Sequence, residues 1–286
     1  MEYNPDGFES LSQKLMFLSR ILIFLEPRLN MIELAPKGTG KSYIFGNLSK
    51  YGWMISGGKV TRAKLFYDMT KKSMGAITLY DFVTMDEIQT ITFSDSAEIQ
   101  AALKSYLEFG YTTVANVKLV SQAGLIIMGN ISLSKDKKPI RLKYFSELPE
   151  TFKESALLDR FHGFIEGWKL PRISEDLKIN GWTLNVEYFS EIMHELRDKP
   201  IYAAIVNDLL EVPAKADTRD TTAVKRIATA YLKLLFPNVN DTSEINKEDF
   251  KNYCLIPAIE KRQIIRRQIH LIDEEFSDEM PDIKLE

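Results

Sequence analysis

The sequence predicts an α/β domain built on a mainly parallel sheet flanked by helices, followed by a small all-helical domain. Three observations predict it. Up to about residue 170, short apolar runs alternate with helical stretches. A glycine-bearing loop, Ala35-Pro36-Lys37-Gly38-Thr39-Gly40-Lys41-Ser42, joins the first run to a helix. Beyond Pro171, helical stretches follow one another with no convincing strand between them. The expected organisation is therefore an α/β core over residues 1–170, a helical lid over 171–271 and a loose acidic tail over 272–286.

Leu11, Leu15, Leu18, Leu22 and Leu25 recur at three- and four-residue steps, Ser10 with Gln13 resembles a capping box, and Pro27 marks a stop. These predict a helix over 8–26. Residues 31–34 predict a strand that enters the loop, with a helix to about 51. A second strand is expected over 53–56, closed by Gly57-Gly58, then a helix over 61–72. Residues 77–85 predict a buried strand ending at Asp86-Glu87. A helix over 94–109 has Gly110 in the place of a C-terminal cap. Residues 111–122 predict a hairpin, and 125–128 a buried strand ending at Gly129-Asn130. Helices are expected in the lid over 185–197, 202–210, 221–235 and 247–270.

Composition excludes several classes. With 45% hydrophobic and 27% charged residues, the chain is not disordered over most of its length. A formal net charge of -3 does not advertise a nucleic-acid binder, although a ring can line its pore with a few cations while staying acidic outside. Cys254 is alone, which rules out an intramolecular disulfide and fits a reducing cytoplasm. His162, His194 and His270 are scattered, so no structural zinc is expected. The apolar stretch 15–25 is cut by Ser19 and Arg20 and is too short to span a bilayer, and no leader pattern opens the chain. A cytoplasmic protein away from membranes is expected.

The loop carries the chemistry. Pro36, Lys37, Gly38, Thr39, Gly40, Lys41 and Ser42 stand where backbone N–H groups wrap phosphates, Lys41 neutralises β/γ charge and the Ser42 hydroxyl ligates Mg²⁺. Ala35 replaces the usual first glycine, which is tolerated if that position has negative φ. Asp86 can hold the Mg²⁺ shell beside Ser42, and Glu87 can position and polarise an attacking water. Asn130 can orient the same water; otherwise it is an ordinary turn residue. Arg160 can stabilise charge on a γ-phosphate, usually in a neighbouring subunit; the competing reading is a surface pair with Asp159. Arg219 can reach back to the nucleotide from the lid, with Arg226 as its competitor for that role.

Together these residues resemble the AAA+ superfamily of ATPases, with Asn130 at its sensor-1, Arg160 at its arginine-finger and Arg219 at its sensor-2 position. More narrowly, Tyr3-Asn4-Pro5-Asp6-Gly7-Phe8, Pro36 to Ser42, Ser56-Gly57-Gly58, Asp86-Glu87, Gly129-Asn130-Ile131, Asp159-Arg160, Gly167-Trp168 and Arg219-Asp220 leading to Leu234-Leu235-Phe236-Pro237 resemble the Lon-like BrxL family of BREX phage defence. The resemblance implies ATP and Mg²⁺ as cofactors, a ring of about six subunits, duplex DNA as partner and contact with other BREX proteins. Its members carry a DNA-binding region before this core and a Lon-protease-like domain after it. The chain is therefore expected to be a core fragment or a short member, with no protease residue of its own.

Two segments are candidates for gripping a substrate: Gly57-Gly58-Lys59-Val60 as a pore loop, and the 111–122 hairpin with Lys118, where helicase-type relatives touch DNA. Lysines there can pair with phosphates without reading sequence. The run Lys261-Arg262 with Arg266-Arg267 is expected to be a solvated helix face. Two alternatives to a DNA motor stay open: the ATPase of a Lon-type protein unfoldase, or a nucleotide-dependent assembly switch. The absence of an aromatic residue at 57–60 favours DNA over unfolded protein, and Glu87 with Arg160 argues against a pure switch.

Overall fold

The computed structural model describes residues 3–114 and 116–286. In chain order its strands of four residues or more, among the described residues, are β1 (Asn30–Leu34), β2 (Gly52–Val60), β3 (Phe82–Phe93), β4 (Tyr111–Val114), β5 (Val117–Val120), β6 (Gly124–Gly129) and β7 (Gly163–Glu166). Five of them form one sheet in the order β2-β3-β6-β1-β7, each neighbouring pair parallel. Parallel strands need crossovers, and helices then cover both faces; every residue of β1 and β6 is accordingly buried. The chain reaches the far side of β1 only with β7, so the C-terminal end of β1 lies where the winding reverses. Such switch points open a crevice for ligands.

The helices that matter are α1 (Leu11–Leu18), α2 (Leu22–Leu25), α3 (Lys41–Asn47), α4 (Ser96–Phe109), α5 (Val186–Arg197), α6 (Ile201–Leu209), α7 (Thr218–Leu235) and α8 (Ile256–His270). The first expected helix is thus two, joined by a 3-10 turn at Ser19–Ile21. Gly110 ends α4 at φ 75° and receives no side chain for good reason, since a Cβ would lie 2.7 Å from the Arg28 guanidinium. The expected hairpin is β4–β5, and its residue 115 lies outside the described residues. After Leu170 the structure is predominantly helical, with α7 packed on α2, α6 and α8.

The structure departs from expectation in several places. Ala76–Leu79 form a short helix, so the strand expected over 77–85 begins only at Phe82, and the helix expected over 247–270 is interrupted by a π-helical segment at Lys251–Leu255. Gly57-Gly58 does not close β2, and Asp86-Glu87 does not end β3. Both strands run on together: Ser56 pairs with Asp86, the register then breaks, and Gly58 pairs with Ile91. Gly57, Gly58 and Glu87 all take positive φ (62°, 75° and 50°), the backbone signature of a bulge and not of a strand end. The helix expected over 61–72 is only Arg62–Leu65. Asp68 accepts hydrogen bonds from the Thr70 and Lys71 amides (2.9 and 3.0 Å), so a local turn competes with the helix and closes a small antiparallel pair, Tyr67–Asp68 with Ser73–Met74.

Lys261, Arg262 and Arg266 are buried rather than solvated; among that run Arg267 is the exposed residue. Finally, the expected loose tail is docked. Lys284–Leu285 pairs antiparallel with Leu210–Glu211, Ile283 is buried, and the Glu286 amide donates to the Leu209 carbonyl at 3.0 Å.

Candidate functional site

The phosphate loop leaves the end of β1 with its backbone fixed at several points. The Ala35 amide donates to the Gly129 carbonyl at 3.1 Å, extending the β1–β6 ladder by one rung. Ala35 stays out of the positive-φ region, which is why alanine is tolerated there. Gly38 and Gly40 take φ of 84° and 77°, left-handed positions that glycine occupies without strain. At Gly40 a Cβ would also meet Tyr3 Oη at 2.8 Å and Ile173 Cδ1 at 2.9 Å.

Beneath the loop lies a brace that the sequence reading missed. Arg20, wholly buried, donates from Nε to both Glu33 carboxylate oxygens at 3.1 Å and from Nη1 to the Thr39 carbonyl at 2.6 Å. Glu33 sits in β1 and is also fully buried. A Cβ on Gly167 would strike the Ala35 Cβ (2.3 Å) and Glu33 Oε1 (2.7 Å), so glycine is required for this packing. The one sequence signal was Arg20 itself, a cation inside an apolar helical run. Glu33→Ala leaves a buried guanidinium without its counter-charge and is expected to lower stability by roughly 3–5 kcal/mol. Chemical denaturation of the variant checks this, and a loss under 1 kcal/mol would show that the brace contributes little.

Lys41 opens α3. Its Nζ donates to the Ala35 carbonyl at 3.0 Å, the Pro36 carbonyl at 3.3 Å and Asn130 Oδ1 at 3.4 Å. Burial pulls its ammonium below the usual lysine range, and Glu33 partly opposes that. The Ser42 hydroxyl donates to Asp86 Oδ2, and Asp86 Oδ1 accepts from the Glu87 amide at 2.8 Å. Gln89, also unread in the sequence, pins Asn130 from the bulge: its Nε2 donates to the Asn130 carbonyl at 2.8 Å and its Oε1 accepts the Asn130 amide at 3.2 Å. Lys41, Ser42, Asp86 and Asn130 are thus joined at the C-terminal end of the sheet. The bulge leaves the Glu87 side chain exposed beside them. Pro36 and Lys37 line the loop's outer turn, where Lys37 is exposed.

The donor set fits Mg²⁺. A serine hydroxyl and a carboxylate oxygen already touch, both are hard oxygen ligands, and Mg²⁺ characteristically takes one or two protein oxygens with phosphate and water completing its shell. Among the described residues no three His, Cys, Asp or Glu side chains converge on a point, which argues against an all-protein cage. Beside the loop, a cavity of about 470 Å³ is lined by Tyr3, Tyr43, Ile173, Leu177, Lys178 and Thr183. Its wall is tied to the loop by the Ile173 amide, which donates to the Gly38 carbonyl at 2.8 Å. This cavity is large and apolar enough to seat a nucleoside.

Arg160 and Arg219 lie elsewhere. Arg160 precedes β7, and His162 hydrogen-bonds the start of β1 through its own amide to the Asn30 carbonyl at 2.8 Å. They therefore belong to the N-terminal end of the sheet, about one strand length, roughly 15 Å, from the phosphate loop. Arg219 does not reach back to its own chain's loop as expected. It donates to Asp159 Oδ2 at 2.9 Å and Glu108 Oε2 at 3.1 Å, and these bonds, against the effect of burial, hold its guanidinium above the usual range. Arg226 is committed to Glu26 and the Pro27 carbonyl beneath α7. Of the basic candidates for substrate, Lys59 is exposed on the extended part of β2, in a strand and not a loop, opposite Thr92. Lys118 is exposed on β5 with its Nζ 4.5 Å from the Tyr111 ring centroid.

Sheet order, loop and helical C-terminal part define the class: an α/β P-loop ATPase fold. The family follows from comparison. The family model described as "Lon-like protease BrxL-like, ATPase domain" matches residues 1–282, and the chain belongs to this family. It is 30% identical over 252 residues to the Lon-like protease BrxL of Escherichia coli O9:H4 (strain HS), covering 88% of this chain and 35% of that protein. It is 30% identical over 262 residues to the Lon-like protease BrxL of Bacillus cereus (strain H3081.97), covering 91% of this chain and 38% of that protein. The chain thus spans little more than a third of the length of these curated relatives. Among the described residues, no helix is long and apolar enough to cross a membrane.

Proposed function

We propose that this chain is the ATP-hydrolysing AAA+ core of a ring-forming motor that acts on duplex DNA in anti-phage defence in the cytoplasm. One observation carries the reading. The groups that suit nucleotide binding and water activation gather at one end of the sheet, while the two arginines suited to γ-phosphate gather at the other. A single chain cannot bring both to one phosphate, but adjacent subunits of a ring can.

In this reading the loop amides and Lys41 hold the β- and γ-phosphates, and Ser42 with Asp86 would hold Mg²⁺, which would supply neutralisation of phosphate charge. Glu87 accepts a proton from the attacking water while Asn130, fixed by Gln89 and Lys41, orients it. Arg160 and Arg219 enter from the neighbouring subunit as charge builds on the γ-phosphate oxygens. Lys59 and Lys118 face DNA phosphates. The proposed partners are other copies of this chain in a ring of about six, duplex DNA, and other BREX proteins.

The substrate is tested by steady-state ATP turnover of the assembled protein with duplex DNA or with an unfolded protein. DNA is expected to stimulate turnover, and Lys59→Ala with Lys118→Ala to weaken that stimulation and flatten its salt dependence. Stimulation by unfolded protein alone would replace DNA with a polypeptide substrate.

A further inference from the structure

Glu108, the penultimate residue of α4, is where the two arginines meet. Its Oε2 lies 2.9 Å from Arg160 Nε and 3.0 Å from Arg219 Nη2, and it also accepts from Arg219 Nε at 3.1 Å. The contact to Arg160 is an ion pair and not an aligned hydrogen bond. Arg219 is gripped on a second side by Asp159, which is itself held at 2.6 Å by Arg262, a side chain buried beneath the site. Glu108, Asp159, Arg160, Arg219 and Arg262, with His162, line one cavity of about 110 Å³. Three guanidiniums face two carboxylates there, and burial holds the His162 imidazole neutral by pushing its pKa well below the usual value. Arg262 is paired from beneath with Asp220 Oδ1 at 2.7 Å, so Arg160 and Arg219 are the two partly exposed cations that an arriving anion would meet.

Two guanidiniums side by side repel one another unless a carboxylate lies between them. The pair is partly buried, with 17% of the Arg160 and 24% of the Glu108 side chain exposed, and it belongs to a network with Arg219 and Asp159. Its geometric effect is to hold two donors from different parts of the chain, before and after Leu170, in one orientation before any phosphate arrives.

We propose that Glu108 is a positioning residue that aligns Arg160 and Arg219 as a single two-pronged donor to the γ-phosphate bound by the adjacent subunit. The proposal rests on the reading that both arginines act between subunits, and its test separates the two ideas. Lys41→Ala subunits bind no nucleotide but offer both arginines. Arg160→Ala subunits bind nucleotide but offer an incomplete pair. Each alone is expected to be inactive, and mixed rings to recover ATP turnover.

Glu108→Gln added to the Lys41→Ala donor is expected to lower the recovered kcat by about tenfold with KM unchanged. The same change on the Arg160→Ala acceptor is expected to keep most of the recovery, and Glu108→Asp on the donor to restore part of it. Equal loss from either placement would make Glu108 merely structural, and no loss from either would leave it without a role; both outcomes overturn the proposal. Failure of the two parent variants to complement at all would overturn the reading between subunits, and the proposal with it.

Discussion

Lys41→Ala is expected to abolish ATP binding at any practical concentration, a loss of at least about a hundredfold in affinity. Charge-assisted hydrogen bonds are worth roughly 1.5–3 kcal/mol each, and this ammonium is the cation placed at the mouth of the phosphate loop. The effect is large because the lysine is already in position. Its Nζ rests on the Ala35 and Pro36 carbonyls and on Asn130, so binding exchanges these contacts for phosphate oxygens at little ordering cost. The fold is expected to survive, because a buried ammonium held below its ordinary pKa contributes little stability of its own. Titration of a fluorescent ATP analogue checks this, with thermal unfolding alongside. Binding within a fewfold of wild type would show that the loop amides suffice.

Glu87→Gln is expected to behave in the opposite way, retaining ATP while turnover falls by roughly 10²–10⁴-fold. Glutamine preserves the shape of the side chain but cannot accept a proton. The position is unusual: Glu87 holds φ at 50° inside the β3 bulge, a backbone conformation that costs energy for a non-glycine residue. That geometry carries the carboxylate away from the buried face of the strand and out beside Asp86, whose Oδ1 accepts the Glu87 amide. Glu87 acts on Lys41 only as the smallest of several neighbouring charges, so nucleotide affinity should stay within a fewfold, and the variant should accumulate ATP-bound rings. Filter binding with labelled ATP, paired with phosphate release, separates the two quantities.

Local patterns in the sequence were read well where they were set by local chemistry. Strand, loop and helix around Lys41 were legible because glycine at positive φ, a buried strand and a helix start each leave their own residues. The α4 cap at Gly110 and the β4–β5 hairpin were legible for the same reason. The bulge was not. Gly57-Gly58 and Asp86-Glu87 look like two strand ends, and only their pairing across β2 and β3 turns both into one continuous ladder with a break in register.

Charges misled for a related reason. Arg262 and Arg266 repeat along a helix as a solvated face would, yet Asp220 from α7 and Asp159 from the core meet them in the interior. Arg20 and Glu33 are thirteen positions apart, in the 3-10 turn between α1 and α2 and on β1, and nothing local announces that they pair. The expectation that Arg219 serves its own chain's nucleotide came from its place at the start of a lid helix. Its partners, Glu108 and Asp159, are more than fifty residues away in sequence, and they set its direction.

The most direct measurement is steady-state phosphate release from ATP by the assembled protein, with and without duplex DNA, run beside Glu87→Gln. Turnover that DNA raises and Glu87→Gln removes is the predicted result, and it would tie hydrolysis to this site and its substrate to DNA. Equal turnover in the wild type and Glu87→Gln, or none from assembled protein that binds ATP, would contradict the claim that this constellation hydrolyses ATP.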